Sequence, residues 1–175
     1  QDEAFIGALL ADIGIPILLE AFPLQYGPLA AEYRVNGERI TCDQEIDAVE
    51  VTHAQVSAMV LTHWTVPNSV TNAVNLQHSP SPGTGDVATV ARILNSADRI
   101  GALLCETPTP ETIQATCRKA LEFVGLEESA LLEILPSIEG DIQEMADALR
   151  ITMMQGHACK AVAKALEDNI GALSR

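Results

Sequence analysis

Apolar residues recur along this chain at the three- and four-residue spacing of an α-helix, and the alternating pattern of a β-strand is scarce. The helical pattern is interrupted by breaks that contain proline and glycine. Only 3% of the residues are aromatic, so aliphatic side chains must build the core. The sequence therefore predicts an all-α fold.

Four polar residues occur where the helical stripes should be apolar. Each continues or closes the stripe of a different predicted helix; they are Asp12, His53, His78 and Asp98. A buried carboxylate or imidazole costs free energy unless it is paired or ligates something, so we expect the four to share one polar pocket. Their nitrogen and oxygen donors would suit a divalent metal, while a hydrogen-bonded structural role for each is the alternative.

The first half of the chain supplies the helices of this pocket. A helix over about residues 2–11 is predicted to turn Phe5, Leu9 and Asp12 inward. Pro67 suits the first turn of a later helix, whose inward stripe closes at His78. That stripe comprises Val70, Ala73, Val74 and Gln77.

Between these two helices, Thr41 and Gln44 have the spacing of a capping box. The helix that they open is predicted to run to Trp64 without a break. Its predicted inward face comprises Ile46, Val49, His53, Val56, Val60 and Trp64.

The Thr-Pro-Thr-Pro segment at residues 107–110 is a stiff break, and we predict a domain boundary there, between residues 1–106 and 107–175. Beyond it, a long helix is predicted over about residues 137–173. Its apolar seam alternates steps of four and three, which is a heptad pattern; the seam comprises Ile142, Met145, Leu149, Thr152, Gly156, Cys159, Ala163, Leu166, Ile170 and Leu173. The seam could pair with another helix in a dimer or pack within its own domain.

The net charge, the apolar runs and the cysteines limit the binding partners and the cellular compartment that we expect. The net charge is −14 and no segment is basic, which argues against binding to nucleic acid or to an anionic membrane. We find no run of about 18 apolar residues, the length of a membrane span, and therefore expect no spanning helix. The cysteines form no CxxC pair, which indicates buried thiols in a reducing, cytoplasmic compartment; they are Cys42, Cys105, Cys117 and Cys159.

Four blocks resemble the signature of a known family. Residues 4–14 (AFIGALLADIG) are similar to the pattern AFxxGLLHDIG. Residues 52–56 (THAQV) and 64–67 (WTVP) resemble DHAxV followed by WxxP, and residues 77–80 (QHSP) resemble HHxP. Residues 97–98 (AD) resemble the end of the helix that closes the module. Order and spacing match the HDOD domains, which are bacterial relatives of the HD and HD-GYP phosphohydrolases.

The resemblance implies an HD-like helical bundle with a signalling or regulatory role, often without catalysis. In the catalytic relatives, the positions matching Ala11, Asp12, His53, His78 and Asp98 hold metal. The relatives also take a ligand from an upstream helix, so the resemblance implies that this chain carries the C-terminal part of the module, followed by a helical extension.

This chain departs from the catalytic pattern at three positions. Ala11 replaces the histidine of the HD pair, Gln77 replaces the first histidine of HHxP, and Ile15 replaces a lysine. Because alanine has no lone pair, we expect no catalytic residue and no bound cofactor, although a divalent metal remains an alternative. Asp12, His53, Gln77, His78 and Asp98 would then form a vestigial or ligand-binding pocket.

We therefore expect a non-catalytic regulatory module that acts through a protein partner, a small ligand or self-association of its C-terminal helix. One alternative is a metal-dependent phosphohydrolase acting on a nucleotide or cyclic dinucleotide. Another is a helical adaptor with an inert pocket.

Overall fold

The computed structural model describes residues 2–36, 39–80, 84–105, 109–150 and 158–173, and within these ranges it contains helices and no strand. The predicted all-α class is confirmed. The helices are α1 (Asp2–Leu10), α2 (Gly14–Ala21), α3 (Pro23–Asn36), α4 (Cys42–Val49), α5 (His53–His63), α6 (Asn68–Asn75), α7 (Asp86–Cys105), α8 (Pro110–Val124), α9 (Glu128–Leu149) and α10 (Ala158–Leu173).

The chain divides into two compact units, Gln1–Asn95 and Ser96–Arg175. The division lies inside α7, upstream of the break from which a boundary at residues 106 and 107 is predicted. Residues 106–108 are outside the described ranges, and that boundary stays a prediction.

The core of the first unit forms where α6 and the first half of α7 bring aliphatic side chains together. The predicted inward stripe of α6 is confirmed, since Val70, Ala73 and Val74 are buried. They pack with Leu61 of α5 and with residues of α7, namely Val90, Ala91 and Leu94.

The predicted inward face of α1 is wrong. Phe5 is 62% exposed and Leu9 63% exposed, whereas Gly7 is buried. A Cβ built on Gly7 would lie 3.3 Å from Leu94 Cδ1, so α1 approaches the core through its smallest residue. The same rotation leaves Asp12, just past the helix end, with 55% of its side chain exposed.

The segment predicted as one helix from Thr41 to Trp64 is two helices, so that prediction is wrong. The capping box of Thr41 and Gln44 is confirmed, but α4 ends at Val49 because Glu50 is left-handed, with φ 61°. A second capping box, formed by Thr52 and Gln55, starts α5. This break changes which positions face inward. Ile46 and Trp64, which the single helix would place on the inward face, are exposed.

In the second unit, α10 packs an apolar face against α8 and α9. Val162, Ala165 and Leu166 are buried there with side chains of α8 and α9; these are Ile113, Cys117, Leu121, Leu131 and Leu135. Of the predicted seam, Leu166 is buried in this cluster and Ala163 packs against it.

The predicted continuous helix from Ser137 to Leu173 is wrong at Arg150. That residue has φ 55° and follows the end of α9 at Leu149. The helix also begins earlier than predicted, at Glu128, and continues through Pro136. Thr152 and Gly156 of the seam lie outside the described residues, and heptad pairing stays a prediction.

By length and composition alone, Asp2–Ala21 could cross a membrane, with a mean hydropathy of 1.9. The expectation that no such segment exists is therefore wrong on composition. The same test is passed by core helices and signal sequences. In the structure this segment is two helices, α1 and α2, separated by a turn at residues 11–13.

Candidate functional site

Three of the four predicted pocket residues come together in the first unit. Donor atoms of Asp12, His53 and His78 all lie within 4.8 Å of one another. Asp12 lies in the turn after α1, His53 is the first residue of α5, and His78 lies in the turn after α6. Helix ends thus position all three, which is why residues far apart in sequence converge.

The fourth predicted residue, Asp98, is half-buried on α7 within the second unit. The group of three does not include it. Its predicted place in the pocket remains a prediction.

The two imidazole rings are in direct contact. The Nε2 atoms of His53 and His78 lie 2.8 Å apart, and the ring planes are inclined by 72°. At that separation one Nε2 donates a hydrogen bond and the other accepts it. The Oδ1 atom of Asp12 lies 3.5 Å from His53 Nε2. Asp12 and His78 therefore both lie beside the same ring nitrogen of His53.

The other ring nitrogen of His53 faces Glu45, which the sequence reasoning missed. Glu45 is 0% exposed. Its Oε1 and Oε2 lie 2.8 and 2.9 Å from His53 Nδ1. The His53 backbone N–H donates to Oε2 at 3.0 Å, and the Tyr26 hydroxyl donates to Oε1 at 2.6 Å.

The available signal for Glu45 was the second capping box. Placing a helix start at Thr52 ends the preceding helix and moves the inward face of α4 away from Ile46. A single helix over residues 41–64 places Ile46 on the inward face, and Glu45 is then not among the predicted pocket residues.

These hydrogen bonds set the charge of the Glu45–Tyr26 pair. Burial by itself raises the pKa of Glu45, but hydrogen bonds from His53 and Tyr26 lower it below its ordinary value. Burial, and then the hydrogen bond to Glu45, raise the pKa of Tyr26. Glu45 is thus held as a carboxylate and Tyr26 as a neutral donor.

A second set of hydrogen bonds fixes the turn that carries Asp12. Ser57 Oγ donates to the Ala11 carbonyl at 2.7 Å and accepts from the Gly14 N–H at 2.9 Å. Gln77 Nε2 donates to the same carbonyl at 3.0 Å. In return, the Gln77 carbonyl accepts from Asn95 Nδ2 at 2.7 Å. Gln77 therefore braces the turn at Ala11.

The donor set is compatible with one divalent ion. Metal–ligand bonds of about 2.1 Å bring donors bound to one ion roughly 3–4 Å apart. His53 Nε2 and Asp12 Oδ1 are 3.5 Å apart, whereas the two histidine Nε2 atoms, at 2.8 Å, are closer than that. A carboxylate behind a ligating histidine is a common outer-shell partner of such sites. Ala11, however, contributes no donor, and the contact between the two histidines is already a complete hydrogen bond.

Comparison with protein families matches residues 1–80 to the HDOD domain. Comparison with curated proteins and with solved structures gave no match. The matched segment contains the complete Asp12–His53–His78 group, together with Tyr26, Glu45 and Gln77.

Proposed function

Because residues 1–80 belong to the HDOD domain family, we propose that the chain is a non-catalytic regulatory module of a bacterial signalling protein. In its pocket, formed by Asp12, His53 and His78, we infer that His53 is held by hydrogen bonds to His78 and Glu45 rather than by metal. The family supports an HD-related signalling role; the absence of catalysis is our inference.

The observation that carries this proposal is the direct contact between the two imidazoles. With Glu45 on one ring nitrogen of His53 and His78 on the other, both His53 nitrogens have partners without any ion. The position that would add a further imidazole is Ala11, whose side chain offers no lone pair. Loss of even an outer-shell partner typically weakens metal affinity 10–100-fold, and loss of a direct ligand should weaken it more.

A second candidate function is a metal-dependent phosphohydrolase acting on a nucleotide or cyclic dinucleotide. Convergence of two imidazoles and a carboxylate, with Glu45 behind His53, favours it. A divalent ion held by Asp12, His53 and His78 would supply a bound water of lowered pKa for phosphoester hydrolysis.

Metal analysis of the purified protein separates the two candidates. We expect no stoichiometric iron, manganese or zinc, and no hydrolysis of a chromogenic phosphodiester with added Mn²⁺. Stoichiometric metal that is lost in His53→Ala, but kept in the exposed control His63→Ala, would favour the hydrolase.

The partner of this module would be a protein or a small ligand bound at the pocket. Three described cysteines are free thiols, namely Cys42, Cys117 and Cys159, which supports a cytoplasmic location. With a net charge of −14, nucleic acid and anionic membranes are unfavourable partners. An adaptor with an inert pocket makes a different prediction, namely that Asp98→Asn alters stability and leaves partner binding unchanged.

Self-association through the C-terminal part is included in the proposal. The buried face of α10 belongs to the core of its own unit, so α9 is the better candidate surface. Ile134 and Met145 are exposed on it, at 50% and 48%, and their separation of eleven residues puts them on the same side of a helix.

A further inference from the structure

Glu45 is the most buried carboxylate of the first unit that the structure describes. It accepts three hydrogen bonds, one from Tyr26 on α3 and two from His53 on α5. We infer that Glu45, supported by Tyr26, is a positioning residue that fixes the tautomer and orientation of His53.

Glu45 fixes the tautomer of His53 because it has no proton to donate. An ionised carboxylate can only accept hydrogen bonds, so His53 Nδ1, which lies 2.8 Å from Oε1, must carry a proton. In the neutral ring the other nitrogen, Nε2, is then an acceptor. Glu45 therefore determines which nitrogen of His53 presents a lone pair to His78.

Glu45 also fixes the orientation of His53. Glu45 Oε2 also accepts from the backbone N–H of His53, which is among the N–H groups at the start of α5 that lack a partner within the helix. One carboxylate thus holds both the ring and the backbone of the same residue. The partial positive charge at the start of α5 further stabilises the carboxylate.

Tyr26 in turn holds Glu45 in place. Its ring is fully buried, and its hydroxyl donates to Glu45 at 2.6 Å. This bond gives Glu45 Oε1 a second partner and restrains rotation of the carboxylate. Each hydrogen bond of this network then has a defined donor. Tyr26 and His53 Nδ1 donate to Glu45, and His78 Nε2 donates to His53 Nε2.

The inference rests on the Asp12–His53–His78 pocket being the functional site, but its test does not depend on a partner. The ring nitrogens of His53 are observed by ¹⁵N NMR in the folded chain, and the tautomer is assigned from the chemical shifts of the neutral ring. We expect Nδ1 to give a protonated signal and Nε2 an unprotonated one. Protonation of Nε2 with a bare Nδ1 would overturn the inference.

The variant Glu45→Gln tests whether Glu45 is the cause of the His53 tautomer. An amide offers a donor as well as an acceptor, so we expect the Nε2-protonated form of His53 to become populated in this variant. Asp47→Asn removes an exposed carboxylate from the same helix and should leave the spectrum unchanged. A Glu45→Gln spectrum identical to that of the unsubstituted chain would contradict a positioning role.

The NMR signals of His53 test the role of Glu45, and metal analysis tests the non-catalytic function, so the two proposals can fail separately. If Glu45→Gln does not fold, the ring signals of the unsubstituted chain decide the inference by themselves. Discovery of a bound metal would end the non-catalytic proposal, yet a proton on Nδ1 of His53 would still support the role of Glu45.

Discussion

Gly14 lies against the backbone of His53, so close that a Cβ on Gly14 would overlap the His53 carbonyl oxygen. This approach joins the start of α2 to the start of α5, and it holds the turn with Asp12 beside the ring of His53. The glycine of the ADIG motif is therefore required for contact between two helices.

We expect Gly14→Ala to destabilise the first unit by about 2–3 kcal/mol or more, since the obstructing atom belongs to the backbone and cannot move aside as a flexible side chain would. Urea unfolding followed by circular dichroism measures this. The control is Gly27→Ala on α3, where a Cβ meets nothing within 4 Å and alanine should be neutral or slightly stabilising. Equal stability of the two variants would contradict the close approach.

Removal of the Ser57 hydroxyl should loosen the same turn. Ser57 is fully buried and bonds both the Ala11 carbonyl and the Gly14 N–H. In Ser57→Ala the N–H is left without that acceptor, which costs about 1–3 kcal/mol. Ser69→Ala, which removes an exposed hydrogen bond to Glu3, should change the free energy of unfolding by less than about 0.5 kcal/mol. A loss of the same size in both variants would show that burial of Ser57 is unimportant.

The convergence of Asp12, His53 and His78 could be predicted from the sequence because each interrupts an apolar pattern. Their exact surroundings could not. Helical periodicity within residues 41–64 has no visible interruption, yet the left-handed Glu50 divides the segment and brings Glu45 to His53. A single backbone angle, which periodicity does not report, thus decides which carboxylate is buried.

The buried face of α1 could not be predicted from the sequence for a related reason. Hydrophobicity favours burial of Phe5 and Leu9, but close packing against Leu94 and Val70 requires the smallest side chain, Gly7. Periodicity identifies the two faces of a helix, whereas the contact that each face makes depends on the shape of its neighbour. That shape is set by α6 and α7, which are distant in sequence.

The depressed pKa of Glu45 predicts loss of stability in acid. Because its pKa is lower in the folded chain than its ordinary value of 4.5, Glu45 stabilises the fold fully above that value. This contribution disappears as the pH falls through the lower, folded-state pKa. We expect urea unfolding from about pH 6 to about pH 3 to give a shallower decline for Glu45→Gln than for Asp47→Asn. Parallel declines would mean that Glu45 is not held ionised by its partners.

Tyr26→Phe isolates one of the three donors to Glu45. A hydrogen bond to a charged group contributes about 1.5–3 kcal/mol, and the buried phenyl ring keeps most of the packing. We expect a loss of that size at neutral pH, measured by urea unfolding. In Tyr26→Phe combined with Glu45→Gln the loss should be smaller than the sum of the two single losses, because the two residues share one hydrogen bond. Strict additivity would contradict direct coupling.

The exposed side of α9 predicts how copies of the chain associate. If Ile134 and Met145 form the contact, Met145→Lys places a charge in an apolar interface and should weaken association at least about tenfold, equivalent to about 1.4 kcal/mol. Light scattering over a dilution series measures the change. Glu144→Gln alters the net charge by the same amount at the neighbouring exposed position and should leave the mass unchanged. A monomer at all concentrations would rule out self-association, whereas a dimer insensitive to Met145→Lys would assign the contact to another surface.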